Sequence, residues 1–189
     1  MFYDLKVVPD DRETLADMIK VAKEMGYLGL GFVGDFQEIE GTFRIREYEM
    51  RSKRDLREIP YGEVNFVYSE NRNVLRYSVK LERVDGIIFR EIDEVLVREA
   101  SKNKTALVID LSSLRNGKLG GIKKVRKLFL VCYSKRAPVI CVSSARLPEE
   151  MFSPRDLLAL LELLGVPREY AKASLTTYPR FVLKKKGRI

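Results

Sequence analysis

Residues 85–111 read DGIIFREIDEVLVREASKNKTALVIDL. Two apolar runs, Asp85-Gly86-Ile87-Ile88-Phe89 and Ala106-Leu107-Val108-Ile109-Asp110-Leu111, flank a charged segment from Glu91 to Ser101 that reads as a helix. Strands without polar alternation are covered on both faces, and a helix between two of them makes the right-handed crossover of a parallel sheet. This unit decides the fold class, and the rest of the chain repeats it. Pro138 opens the strand Val139-Ile140-Cys141-Val142, after a basic helix from Gly121 to Ser134. Upstream, Phe2 to Val8, Tyr27 to Val33 and Glu63 to Tyr68 read as strands, with Gly29 and Gly31 letting neighbours pack close.

Helix signals fall between these strands. Asp10 reads as an N-cap with Glu13 three residues on, Leu15, Met18, Ile19, Ala22 and Met25 recur at helical spacing, and Gly26 closes the helix. Phe43 and Ile45 alternate with Arg44 and Arg46, but the phase slips at Tyr48 and Met50, which predicts a bulged strand. A short helix is expected over Ser52 to Ile59 and another from Asn71 to Arg83. Ser153-Pro154-Arg155-Asp156 is a strong helix start, with Leu157, Leu158, Leu161 and Leu164 as its apolar face and Gly165 as its end. Pro167 starts a last helix, and a basic tail at about 184–189 finishes the chain. The pattern predicts one α/β domain over 1–189, a short TIM-barrel-like parallel (β/α) barrel of about seven strands, with an open doubly wound sheet as the competing fold.

Composition narrows the function. The 189 residues carry 35 Lys plus Arg against 27 Asp plus Glu, a net charge of +8, which points to polyanionic partners. There is no histidine, which excludes His-based triads, His zinc sites and two-His iron sites. Cys132 and Cys141 form no metal or redox motif and read as buried thiols. No apolar run approaches the roughly 20 residues of a membrane span, and Met1-Phe2-Tyr3-Asp4 begins a strand, so a cytoplasmic chain with no membrane partner is expected.

In a parallel barrel, function gathers where strands end. There the chain places Arg90, Arg115 and Arg146, with Ser112, Ser113, Ser143 and Ser144 beside them. Guanidinium groups and hydroxyls on one rim suit phosphate oxygens, while solvated surface arginines are the ordinary alternative. Lys123, Lys124, Arg126 and Lys127 give one helix a face of a single sign, suited to an RNA backbone. The Lys184-Lys185-Lys186-Gly187-Arg188 tail reads as an electrostatic arm or a solubilising end. The loop Asn116-Gly117-Lys118-Leu119-Gly120-Gly121 matches no phosphate-loop pattern and reads as a surface loop. Asp4, Asp85 and Asp110 could together hold Mg²⁺, though such residues more often cap turns or pair with arginines.

The stretch Ser143-Ser144-Ala145, then Ser153-Pro154-Arg155-Asp156-Leu157, Ala171-Lys172-Ala173-Ser174-Leu175 and Tyr178-Pro179, resembles archaeal ribonuclease P protein component 3. So do Val74-Leu75-Arg76-Tyr77-Ser78 running into Val84-Asp85-Gly86-Ile87-Ile88, and Ser113-Leu114-Arg115. The resemblance covers residues 70–183 and is weak over the first third. It departs from the family where Asn116-Gly117 stands in place of a proline after Ser-Leu-Arg, and in a shortened segment between Met50 and Tyr61.

The resemblance implies a TIM-barrel-like protein subunit of the ribonucleoprotein that removes 5′ leaders from precursor tRNA. It implies no catalytic residue, metal site or cofactor on the protein, with Mg²⁺ at the active site of the RNA. The implied partners are ribonuclease P RNA, protein component 2 and the other holoenzyme subunits, with precursor tRNA reached indirectly. The family barrel also resembles metal-dependent phosphoesterase barrels, whose His-rich sites this chain cannot form. Motif and residue readings together give Arg76, Arg90, Arg115, Lys123, Lys124, Ser143, Ser144, Arg146 and Arg155 as candidate RNA contacts. The competing function is a free-standing barrel enzyme acting on a phosphorylated small molecule through rim arginines and a carboxylate or Lys118, and a pure protein adaptor is a third.

Overall fold

A computed structural model describes residues 1–115 and 117–189, so the part of the loop reading that falls on Asn116 lies outside the described residues. Seven strands, β1 (Phe2–Val7), β2 (Tyr27–Phe32), β3 (Thr42–Glu49), β4 (Val64–Tyr68), β5 (Gly86–Ile88), β6 (Ala106–Asp110) and β7 (Val139–Val142), pair in chain order. Every pair is parallel. Residues just past β7 return to β1: the Val8 N–H donates to Ala145 O at 2.7 Å and the Ser144 N–H to Lys6 O at 2.9 Å. The sheet is thus a nearly closed barrel, as the alternation of elements predicts.

Side chains alternate in and out along the strands. Tyr3, Leu5, Phe43, Ile45, Phe66, Ile88, Val108, Ile140 and Val142 fill the lumen. The residues between them, such as Leu107, Ile109, Val139 and Cys141, pack outward beneath the helices. Lumen packing requires Gly86, since a Cβ there would lie 2.7 Å from both the Phe66 ring and a Val108 methyl.

Around the strands run α1 (Arg12–Glu24), α2 (Arg72–Ser78), α3 (Glu94–Asn103), α4 (Ser112–Arg115), α5 (Leu119–Ser134), α6 (Pro154–Leu163), α7 (Arg168–Leu175) and α8 (Thr177–Lys185). Among the described residues no helix is long and apolar enough to cross a membrane. Asp11 rather than Asp10 caps α1, because its carboxylate is the one within reach of the Thr14 N–H, at 2.7 Å. Helix α3 starts later than the apolar pattern suggests, at an Asp93 cap whose carboxylate accepts from the Val95 and Leu96 N–H groups. The Ser153 cap of α6 is as expected, its hydroxyl accepting from the Asp156 N–H at 3.1 Å.

Four expectations are corrected. The bulge in β3 is absent: Ile45 to Glu49 pair evenly with Val64 to Tyr68. Phe43 and Ile45 face the lumen, so Glu47 continues the inward face, while Tyr48 and Met50 join the outer apolar cluster, which reads in sequence as a slipped phase. Register shifts lie in β1 instead, between Phe2 and Tyr3 and between Asp4 and Val7. The helix expected over Ser52 to Ile59 is a single 3₁₀ turn at Asp55–Arg57. Helix α2 ends at Ser78, where the hydroxyl turns back to Leu75 O at 2.8 Å and the chain continues in three-residue turns to Val84.

The fourth correction concerns the C-terminus. Two helices follow Pro167, with Pro179 in the first turn of α8, where no N–H is needed. Val182 and Leu183 cap the N-terminal end of the lumen. Lys185 reaches Asp85 at 3.3 Å and Glu82 O at 2.7 Å, Lys186 reaches Asp85 at 3.1 Å, and Arg188 reaches Glu38 at 3.2 Å. The basic tail is therefore folded against the barrel and is not a free arm.

Candidate nucleic-acid interface

The C-terminal mouth of the barrel is built from the inward residue that follows each strand's apolar run. Ile45 is followed by Glu47, Phe66 by Tyr68, Ile88 by Arg90, Val108 by Asp110 and Val142 by Ser144. The β1 irregularity adds Lys6, which is 6% exposed. Its ammonium lies 3.0 Å from Glu47 and 4.0 Å from Asp110, and Ser144 donates to Asp110 at 2.7 Å. The Arg90 guanidinium stacks on the Tyr68 ring at 3.9 Å. Sequence reasoning missed Lys6, Glu47 and Tyr68, although for Glu47 and Tyr68 a charged or polar residue in lumen phase after an apolar run is a legible signal.

Arg115, Ser143 and Ser144 come together beside this mouth and are used internally. Arg115 donates to Ser143 O at 2.9 Å and to Ser144 O at 3.3 Å, and lies 3.8 Å from Glu150. The buried Ser143 hydroxyl accepts from the Ala145 N–H at 3.1 Å, while its own N–H donates to Asp4. Burial raises the Asp4 carboxyl to about 6 despite the hydrogen bonds from Ser143 and Lys6. Ser144 sits at φ 49°, a strained backbone for a non-glycine residue. These groups tie β7 to β1 and close the barrel.

Arg76 is likewise paired. Its guanidinium binds Asp93 through two bonds of 2.9 and 3.0 Å, linking α2 to α3. Burial alone would raise the Asp93 carboxyl, but Arg76 and the cap N–H groups hold it below the usual carboxylate range. Arg146 is exposed at the β7–β1 side, 4.0 Å from Asp10, and Arg155 is exposed on α6. Arg155 comes three residues after Phe152, whose carbonyl accepts from the Tyr27 hydroxyl, and it lines neither of the clefts beside Arg90. The three aspartates considered for Mg²⁺ do not assemble either: Asp85 lies at the opposite end of the barrel, beside Lys185 and Lys186, where burial raises its carboxyl. Among the described residues no three of His, Cys, Asp and Glu form a cluster suited to a metal ion.

Arg90, Lys123 and Lys124 do meet. With Lys127, which the helix reading included, they line one cleft of about 290 Å³ between the end of β5 and the first turns of α5. Its other lining residues are Ile92, Gly120 and Leu128, so no carboxylate faces it. Among the described residues none of the four cations enters an ion pair. A neighbouring cleft of about 430 Å³ shares Arg90 and Lys124, adds Arg72, and is also lined by Glu70, Glu91 and Asp93, of which Glu91 pairs with Arg72 at 3.2 Å and Asp93 with Arg76. The unneutralised cations of the rim are concentrated on this side.

A sequence model of the family described as RNase P subunit p30 matches residues 66–188. The ribonuclease P protein component 3 of Methanococcoides burtonii is 25% identical over 213 aligned positions, covering 98% of this chain and 88% of the relative. That of Methanosarcina mazei is 24% identical, covering 97% and 89%. Among solved structures, a chain in the cryo-EM structure of archaeal ribonuclease P with mature tRNA superposes with a TM-score of 0.78 at 19% identity, covering 97% of this chain and 90% of that one. A prolidase complexed with N-methylphosphonate-L-proline shares the barrel at a TM-score of 0.53 and 12% identity, over 90% of this chain and 46% of the prolidase.

Proposed function

The chain belongs to the RNase P subunit p30 family, and we propose that it acts as the component 3 protein subunit of a ribonuclease P ribonucleoprotein. In this role it supplies no reacting group to the removal of the 5′ leader from precursor tRNA. It binds the catalytic RNA electrostatically, pairs with component 2 among the other protein subunits, and leaves Mg²⁺ to the active site of the RNA. The observation that carries the RNA-binding half is the cleft of Arg90, Lys123, Lys124 and Lys127, four cations converging with no carboxylate among them. Phosphate oxygens are the partner such a cleft suits, and each phosphate contact contributes about one unit to the salt dependence of binding. Of the six remaining candidates, Arg76, Arg115, Ser143 and Ser144 serve this role indirectly, by holding the rim in shape, while Arg146 and Arg155 are exposed outside the cleft. A small-molecule enzyme has no comparable observation in its favour.

The test is cleavage of a precursor tRNA by the cognate RNA, with and without this chain plus component 2, at moderate Mg²⁺. The pair is expected to raise the rate and to cleave nothing without the RNA. Joint Lys123→Ala and Lys124→Ala substitution should weaken the stimulation and flatten its salt dependence. A rate unaffected by the pair would sink the subunit reading.

A further inference from the structure

A second cationic cleft lies away from the rim, on the outer face between the 3₁₀ turn at Asp55–Arg57 and the C-terminal end of α2. It has a volume of about 340 Å³, and Lys53, Arg54, Arg57, Arg83 and Tyr77 line it over a floor of Leu56 and Leu81. Among the described residues no carboxylate lines it, and Asp55 is turned onto the Arg51 and Ser52 N–H groups at 2.8 and 2.9 Å. Among the described residues Lys53, Arg54 and Arg57 enter no ion pair. Four like charges held together without counter-charge require a polyanion or solvent.

Aromatic rings make the cleft more than a charged patch. Tyr77 is 42% and Tyr61 65% exposed, unusual for side chains that normally bury much of their surface. The Lys53 ammonium lies 5.0 Å from the Tyr77 ring centre, and the Arg83 guanidinium 4.6 Å from that of Tyr61. Arg83 is itself fixed, donating to Arg57 O at 2.9 Å and to the Tyr61 hydroxyl at 3.0 Å. A nucleobase stacked on Tyr77 is worth more than an exposed cation–π contact, and Lys53, once displaced, is free to meet the adjoining phosphate.

Resting on the reading of the chain as an RNA-binding subunit, we propose that this cleft is a second, independent contact for RNA, taking an unpaired nucleotide by stacking on Tyr77 while Lys53, Arg54 and Arg57 hold the flanking phosphates. A base inside a duplex cannot reach the ring, so the cleft selects single strands, bulges or loops. It lies at the other end of α2 from the larger rim cleft, which includes Arg72 and Leu75 of that helix.

Binding of the full chain to a labelled oligouridine and to a blunt RNA duplex, by fluorescence anisotropy over a salt series, tests this. Tyr77→Leu should weaken the oligouridine on the order of five- to a hundred-fold and leave the duplex unchanged, while Tyr77→Phe retains binding. Joint Arg54→Ala and Arg57→Ala should lower the salt slope for the oligouridine by about 1.4, at about 0.7 per single-strand phosphate. All these side chains are exposed, so an unchanged melting midpoint shows that the fold is intact. Wild-type affinity in both the Tyr77→Leu and the double arginine variant overturns the proposal, as does an oligoglutamate peptide that competes as well as the RNA. If only Lys123→Ala with Lys124→Ala weakens binding, the second cleft falls and the rim reading stands. If only the cleft variants weaken it, the rim assignment falls instead, and precursor-tRNA cleavage tests the subunit reading apart from both.

Discussion

Replacing Arg76 with alanine separates a structural role from an RNA-binding one at a residue the family motif nominates. The pair it breaks is bidentate, with bonds of 2.9 and 3.0 Å, and its members differ in burial: the Asp93 side chain is 6% exposed and that of Arg76 35%. Breaking a fully buried pair costs roughly 3–5 kcal/mol, and a fully exposed one contributes about 0–1 kcal/mol. Asp93 would keep its two cap hydrogen bonds to Val95 and Leu96, and water would reach the vacated side. The expected loss is therefore about 2 kcal/mol, or a fall in melting midpoint of about 4–8 °C for a chain of this size. Asp93→Asn should lose a similar amount, because the pair is the shared element. The dependence on pH has a definite sign. Asp93 titrates lower folded than unfolded, so its contribution is present above the unfolded carboxylate value and is lost as pH falls through the folded one. Thermal and urea unfolding of both variants, with RNA affinity against salt measured in parallel, checks this. An unchanged midpoint in Arg76→Ala together with a salt slope one unit lower would refute it, since that is the behaviour of a phosphate contact.

Asp4 should show the opposite dependence on pH: its folded value of about 6 lies above the unfolded one, so stability falls as pH rises from about 4 to 6, by on the order of 2–3 kcal/mol. Asp4→Asn keeps an oxygen to accept from Lys6 and Ser143 and should flatten that fall in urea titrations; an unaltered profile would assign it to another group. Burial pushes the Cys141 thiol up to about 12 and raises that of Cys132 as well, so neither should react with iodoacetamide near neutral pH until the chain unfolds, as mass spectrometry would show. Lys186→Ala should destabilise by about 1–3 kcal/mol because it leaves Asp85 short of a partner, whereas the exposed Lys184→Ala should stay within about 0.5 kcal/mol. Equal effects in the two lysine variants would return the C-terminal residues to the status of a free arm.

What could be read from sequence was set by the range of the interactions involved. Ser153-Pro154-Arg155-Asp156 announces a helix start because cap and first turn are neighbours in the chain, and the structure closes that cap with the Asp156 N–H at 3.1 Å. Gly86-Ile87-Ile88 and Ala106-Leu107-Val108-Ile109 announce buried strands because burial on both faces removes the polar alternation. The C-terminal lysines were opaque for the opposite reason: the groups that Lys185 reaches, Glu82 and Asp85, lie 103 and 100 residues earlier. Lys6 was hidden in the same way, since only barrel closure brings β1 against Glu47 of β3 and Asp110 of β6. Among the site candidates, spacing found Arg90, Lys123 and Lys124, which share a cleft. It could not separate them from Arg76 and Arg115, whose guanidinium groups are engaged by partners distant in sequence.

The partition of charge over the barrel bears on what kind of ligand it can serve. A barrel acting on a small molecule needs polar groups that converge on the axis at the mouth, where several strands end. Here those positions hold Lys6 against Glu47 and Asp110, with Ser144 donating to Asp110, while Arg115 is bound to the carbonyls of Ser143 and Ser144. Breaking these contacts to admit a substrate would also loosen the seam between β7 and β1. The cations without carboxylate partners form two separate groups instead: Arg90, at the mouth after β5, with Lys123, Lys124 and Lys127 on one side of the rim, and Lys53, Arg54 and Arg57 beyond the far end of α2. Two cation groups at opposite ends of α2 cannot both serve one small anion, but they can follow a backbone whose charges recur at every nucleotide. The geometry therefore favours an extended polyanion over a metabolite, since the two cation groups lie apart from each other along the barrel.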